Sequence, residues 1–422
     1  MNKSKGKFLN ELATLKQLWS NPEFIHAAAV SPDKDFTRCR SLDLKEWLYF
    51  YLQMNKATVA FNLSQFLPNT CKKLESLSPQ AFSKARIKVK PSFFLDTLHE
   101  LNKCYYDKVK TFKTWNNYRL VAIDGSKCIV PNTKELREHY GVSGCTNTQY
   151  PSASCFLSTA YDVLNHRILD VAVAQYKTSE RSFVLPHVEA IKEDAVKNLL
   201  LFDRGYVCKE LIYALIQENQ NFLFRLKIGT YAYLHKDIES DGVIFLPIND
   251  ERSLKVRILK SEAFEGQEPI FLLTNVFDES LSSEDMKDIY LKRWGIESSY
   301  DVLKNKLQMI NYTGRTPVAV QQDIYRSCLL ANLLSCISED ANEKVVQKKQ
   351  NKYCYKININ HAIGVLFDQL SYLLTHIRIA HPITDMIRNI LRHKIPIKPD
   401  RHNVRRERSR KVRHHQNSKS NI

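Results

Sequence analysis

A chain of 422 residues, 44% hydrophobic and 25% charged, is long enough for about three domains and has the balance of a folded protein, which excludes wholesale disorder. Its ten cysteines are scattered with no C-x2-C pair, so a disulfide-stapled miniprotein and a zinc knuckle are also excluded and reduced, packed thiols are expected. The 62 Lys and Arg against 45 Asp and Glu leave +17, which points to a polyanionic partner; nucleic acid is the usual one, because each neutralised phosphate releases condensed counterions.

No run approaches the roughly 18 apolar residues of a membrane span, so no membrane association is expected. The N-terminus, MNKSKGKFLNELATLKQ, lacks an apolar block ending in small residues, which makes a cytoplasmic location the expectation. Neither G-x-G-x-x-G nor G-x4-G-K-[ST] occurs, which disfavours a nucleotide cradle.

Along the chain, residues 1–117 read as an all-helical N-terminal domain. Leu42, Leu44, Trp47, Leu48, Tyr51 and Leu52 keep helical spacing, and Ser78-Pro79 is a helix start. That second helix carries Lys84, Arg86 and Lys88 as a basic run suited to a DNA groove. From residue 118 the texture turns to short β-branched runs. Strands are expected at Leu120 to Ile123, Ser154 to Tyr161 and Arg167 to Ala174, the last two joined by a turn at Asp162 to His166. A helix over Arg181 to Lys197, a strand over Asn198 to Phe202 and a helix over Lys209 to Asn219 follow. Strands at Phe222 to Leu226 and Ile270 to Val276 flank a β-rich insertion at about 229–268. One long helix from Ser283 to Leu307 closes a 118–310 catalytic domain. Residues 311–397 read as a helical C-terminal region. Residues 398–422, with nine Lys or Arg against Asp400 and Glu407, read as a basic disordered tail in which Arg405, Arg406 and Arg408 would meet phosphates. The order of strands and helices suggests an α/β fold, a ribonuclease-H-like catalytic core.

The chemistry should sit on carboxylates. Asp124 is expected to end the first strand (Val121-Ala122-Ile123-Asp124-Gly125) and Asp203 the fourth (Leu200-Leu201-Phe202-Asp203), at the sheet edge where ligands of α/β sheets collect. On the long helix, Tyr290, Arg293, Glu297 and Lys304 project within roughly 60° of one face at 100° per residue. Three converging carboxylates would repel one another unless cations stood between them. Two Mg²⁺ ions, with Mn²⁺ able to substitute, would let Asp124, Asp203 and Glu297 support in-line phosphodiester displacement. Arg293 and Lys304 would then contact phosphate, and Tyr290 would bond a phosphate or stack near the cleaved end.

At these positions the chain resembles the DDE transposases of the bacterial insertion-sequence-four family, whose signature Y-x2-R-x3-E-x6-K stands here as Tyr290, Arg293, Glu297 and Lys304. The contexts Ile-Asp-Gly-Ser and Phe-Asp-Arg-Gly, and the stretches Pro131 to Leu136 and Asn311 to Pro317, are similar to that family as well. The resemblance runs from about residue 35 to 400. It implies a ribonuclease-H-like core with a β-rich insertion, cut-and-paste cleavage and strand transfer of double-stranded DNA at terminal inverted repeats and target sites, and a homodimer in the synaptic complex at the bacterial nucleoid. Two other readings stand beside it. One is an inert or domesticated DNA-binding derivative; the other is a sugar hydrolase working by two carboxylates without metal.

Overall fold

Side-chain caps open most of the N-terminal helices in this computed structural model, which describes residues 6–37, 42–69, 78–108, 112–143, 151–192, 196–227, 238–247, 253–261, 269–347 and 352–398. The helices are α1 (Lys7–Leu18), α2 (Pro22–His26), α3 (Leu44–Gln53), α4 (Val59–Phe66), α5 (Pro79–Arg86) and α6 (Ser92–Lys108). Asp43 and Glu46 form a reciprocal capping box at α3, while Ser78 accepts from the Ala81 N–H with Pro79 in the first turn of α5. The helical reading of this stretch therefore holds for its described part.

Strands begin at Tyr118. In order come β1 (Tyr118–Ile129), α7 (Lys134–Tyr140), β2 (Val142–Ser143), β3 (Ser152–Asp162) and β4 (Arg167–Gln175). A 3₁₀ turn (Glu180–Phe183) leads into α8 (Val184–Ala190), and then β5 (Lys197–Phe202), α9 (Lys209–Gln217), β6 (Asn221–Arg225), β7 (Asp241–Pro247), β8 (Ser253–Ser261) and β9 (Ile270–Thr274) follow. The turn between β3 and β4 forms as its residues demand. Asp162 accepts the N–H groups of Leu164 and Asn165 at 3.0 Å each, and His166 takes the left-handed conformation at φ 52°. The helix expected over Arg181 to Lys197 is shorter, a 3₁₀ turn plus two turns of α8.

The remaining elements are α10 (Ser283–Lys292), α11 (Gly295–Asp301), a π turn (Val302–Lys306), α12 (Pro317–Asn342), β10 (Cys354–Ile357), α13 (Ile359–Thr375), α14 (Ala380–Arg392) and β11 (Lys394–Ile397). The single helix expected over Ser283 to Leu307 is thus three pieces. At the first joint the Arg293, Trp294, Ile296 and Glu297 N–H groups bond three residues back, which overwinds the helix. At the second, the Leu307 N–H reaches the Val302 carbonyl five residues back and underwinds it. A projection at a uniform 100° per residue does not describe this segment. The antiparallel β10–β11 pair, unforeseen in the sequence, joins the segment before α13 to the segment after α14.

Two compact units emerge: residues 106–127 with 156–301, and residues 1–105, 128–155 and 302–422. The first holds most of a mixed sheet in the order β3-β1-β5-β6-β9-β8-β7, with β4 pairing β3 off that path and the two-residue β2 pairing β3 as well. β1, β5 and β6 run parallel, and β9, β8 and β7 continue the sheet antiparallel, so the described part of the insertion extends the sheet. Leu120 to Ile123, Leu199 to Phe202 and Phe222 to Phe224 are buried without alternation, as strands covered on both faces require. The second unit packs the N-terminal and C-terminal helices, with α1 against α12 and α3 against α13, around Trp47, Phe50 and Phe82. Among the described residues no helix is long and apolar enough to cross a membrane.

Candidate active site

Asp124 does not end its strand. β1 runs on through Gly125 to Ile129, because β3 stays alongside it: Val163 N–H donates to the Leu120 carbonyl, and Val130 N–H to that of Ala153. What ends is the parallel pairing with β5, whose last partners are Ala122 and Leu201, so Asp124 stands just beyond the point where β1 loses one neighbour. Its own carbonyl accepts the Tyr300 hydroxyl at 2.7 Å, and that hydroxyl accepts from Thr159 at 2.9 Å. Gly125 serves close approach here and no turn: a Cβ would stand 2.2 Å from Phe156 Cζ.

Asp203 follows β5 directly, as expected. Arg181 bonds the Gly205 carbonyl through Nε and Nη2 at 3.2 and 2.7 Å, which ties the 3₁₀ turn to the Asp203 loop and brings Glu180 into the field of Asp203. Burial pushes the Asp124 carboxyl up to about 6; the Gly125 N–H and Arg293 oppose that, and Glu180 and Asp203 add to it. The Glu180 carboxyl is raised too, by desolvation first, with Lys127 opposing, Asp203 adding and Arg181 opposing. Glu180 thus lies in the field of Asp124 and Asp203, and no motif or periodicity in its Thr-Ser-Glu-Arg-Ser context pointed to it.

Arg293 and Tyr290 come from the α10–α11 joint and both are buried. One guanidinium nitrogen of Arg293 lies 3.9 Å from Asp203 and 3.8 Å from Glu297, and the Tyr290 hydroxyl donates to Asp203 at 3.4 Å. Both side chains were expected at a phosphate; the structure turns them onto the acids, since a cation and a phenol buried this deeply need partners at hand. Their placement brings Asp203 and Glu297, 94 residues apart in number, to one guanidinium. Arg293 also feels Asp124. Between Arg293 and Gly295, Trp294 is 53% exposed, with its ring centroid 5.7 Å from the guanidinium. An indole displayed beside the acids is a surface on which a base can stack, a role the sequence reading did not assign.

The donor set suits a hard divalent ion, being all carboxylate oxygen. Two buried polar atoms beside it, Tyr206 Oη and Arg293 Nε, have no hydrogen-bond partner. The Tyr206 hydroxyl sits in the field of Asp124, Glu180 and Asp203, which with burial hold it strongly protonated. Among the described residues no three ligating groups stand close enough to enclose an ion as they are.

Lys304 belongs to the other unit, in the π turn, where its ammonium bonds the Cys128 sulfur. Of the basic run on α5, Lys84 and Lys88 are exposed, Lys88 pairing with Asp35 at 3.0 Å. Arg86 is not on that surface. It is buried and spends its donors on Gln322, Thr313, Tyr51, the Ala319 carbonyl and, at 3.1 Å, Asp323, which makes it a structural cation of the helical unit and removes it from the DNA-facing set. Arg405, Arg406 and Arg408 lie outside the described residues.

The family model described as "Transposase DDE domain" matches residues 115–333, just over half of the chain. The chain is 24% identical over 239 residues to the transposase InsG for insertion sequence element IS4 of Escherichia coli (strain K12), covering 52% of each. It is 27% identical over 192 residues to a putative transposase for insertion sequence element IS4SA of Synechocystis sp. (strain ATCC 27184 / PCC 6803 / Kazusa), covering 41% of this chain and 52% of the relative. The chain thus spans about half the length of the curated relatives it matches. A solved piggyBac transposase synaptic complex with hairpin DNA aligns over 93% of this chain and 87% of that one, at 12% identity and a TM-score of 0.44.

Proposed function

The chain belongs to the DDE transposases, and from that premise we propose that it is the cut-and-paste transposase of an insertion sequence, which binds terminal inverted repeats and cuts and joins DNA with Mg²⁺. The observation that carries this reading is the approach of Asp203 and Glu297 to one Arg293 guanidinium, with Asp124 in the same electrostatic field. The strand order supports it. Taking β1, β3, β4, β5 and β6 as first to fifth, the sheet reads third-second-first-fourth-fifth, with the last three parallel, as a ribonuclease-H-like core would.

Asp124, Asp203 and Glu297 would hold the metal, which when bound activates a water or 3′-hydroxyl and steadies the departing oxygen. The chain's own groups do the rest. Tyr300 fixes the backbone under Asp124, Tyr290 orients Asp203, and Arg293 keeps two acids from repelling each other before metal arrives. Trp294 would stack on a base near the scissile end. Lys304, Lys84, Lys88 and the tail residues Arg405, Arg406 and Arg408 would meet phosphates, which position DNA without reading it. A homodimer pairing two ends, acting on chromosomal DNA at the nucleoid, completes the proposal.

The test is incubation of the chain with DNA carrying its flanking ends and Mg²⁺, resolved on a denaturing gel. Nicked and joined products are expected. Asp124→Ala, Asp203→Ala and Glu297→Ala should each abolish them and leave end binding intact. A variant that cuts like the parent overturns the triad. Ends bound but never cut would mean an inert binder, and cleavage indifferent to a chelator would mean acid-base chemistry.

A further inference from the structure

The strand register makes a pair of two cysteines that the sequence left as separate packed thiols. β1 and β3 are neighbours, and the bonds Val130 N–H to Ala153 and Val163 N–H to Leu120 share one antiparallel offset. Two residues back from Val130 and two on from Ala153, Cys128 therefore stands opposite Cys155. Such directly opposed residues have Cα atoms about 5.5 Å apart, inside the roughly 4.4–6.8 Å range of a disulfide. Both thiols are free and buried, and they hydrogen-bond each other. Lys304 donates to Cys128 as well. The Cys155 hydrogen bond, aided by Lys304, holds the Cys128 thiol below its ordinary range against burial, while Cys155 is pushed well above. The nearby Tyr312 hydroxyl is buried without a hydrogen-bond partner.

We propose that Cys128 and Cys155 form a peroxide-sensitive dithiol, whose oxidation to a cross-strand disulfide takes from Lys304 its sulfur partner. The Cys128 thiolate attacks a hydroperoxide oxygen; the O–O bond breaks, the alkoxide leaves and is protonated, and a sulfenic acid remains. The Cys155 sulfur, losing its proton, displaces the sulfenic oxygen as water, so that an S–S bond forms as the S–O bond breaks. Two thiols and one hydroperoxide give one disulfide, one alcohol and one water, and two electrons pass from sulfur to oxygen. The disulfide is neutral and accepts hydrogen bonds weakly, so both bonds to Cys128 are lost. The effect on DNA rests on the reading of Lys304 as a phosphate contact; the disulfide does not.

The experiment treats the full chain with hydrogen peroxide, blocks remaining thiols with N-ethylmaleimide in denaturant and digests without reductant. A Cys128–Cys155 linked peptide is expected, absent from Cys155→Ala and reversed by dithiothreitol, forming more slowly than oxidation of exposed Cys354. Affinity for terminal-repeat DNA should rise with it, the salt slope growing by about 0.9, because Lys304 freed from the sulfur can neutralise one more phosphate. Both cysteines recovered as alkylated, with no linked peptide in the wild-type chain, overturns the proposal, and that readout needs no variant to fold. A linked peptide with unchanged DNA affinity overturns the coupling to Lys304 and leaves the transposase reading standing. A reduced chain that neither binds nor nicks DNA defeats that reading, while the linked peptide still upholds the dithiol.

Discussion

At Asp124 the neighbours decide the chemistry. A carboxyl held at about 6 in the folded chain and near 3.8 when unfolded binds its proton more tightly when folded. Its contribution to stability is therefore present below pH 4 and is lost as pH rises through 6, by about 3 kcal/mol. Urea melts of metal-free protein should show that decline between pH 4 and 6, and Asp124→Asn should flatten it. Gly125 is the second residue with a measurable consequence. Gly125→Ala must displace the Phe156 ring, which stacks on Phe183 at 5.5 Å, one turn from Glu180. We expect a loss of about 1–3 kcal/mol by thermal melting. The sequence exposed Asp124 and Asp203 because each follows an apolar run and precedes glycine or Arg-Gly. It hid Glu180, brought near the acids by a loop tie between Arg181 and Gly205 that no local pattern encodes.

At the scale of elements, the stretch Asn311 to Pro317 shows what a recognisable string can be for. Thr313 gives its N–H to Asp323 at 2.7 Å, Thr316 caps α12, and a Cβ on Gly314 would lie 2.5 Å from that of Ala319. These residues seat α12 against α5 through Arg86 and Asp323. Burial pushes the Asp323 carboxyl up, but Arg86, Lys56 and the hydrogen bonds from Tyr51 and Thr313 overcome it and hold it at about 2. Arg86→Met would strand that carboxylate, and a loss of about 3–5 kcal/mol in chemical denaturation is expected. The apolar alternation of strands was legible, as was the helical periodicity before residue 108. The breaks between α10, α11 and the π turn were not, because a hydrophobic stripe tolerates small changes of pitch that redirect the polar residues between its members.

For the whole molecule, charge was the most legible property and its distribution the least. Arg86 and Arg293 count towards +17 yet are consumed internally, so the surface available to phosphate is smaller than the composition suggests. The tail carries a disproportionate share of what remains. Deleting residues 398–422 should weaken binding to specific and random DNA alike and flatten the salt dependence by about 0.9 for each phosphate no longer neutralised, measured by titration at several ionic strengths. The chain also passes between its two compact units at residues 105–106, 127–128, 155–156 and 301–302, with β1 and β3 each contributing to both. Truncation from either terminus cannot then yield an intact half. Anyone seeking a smaller working fragment would have to rewire the polypeptide by circular permutation or grafted linkers, since a stop codon or a new start removes strand from both bodies or strands one of them without its remaining segments.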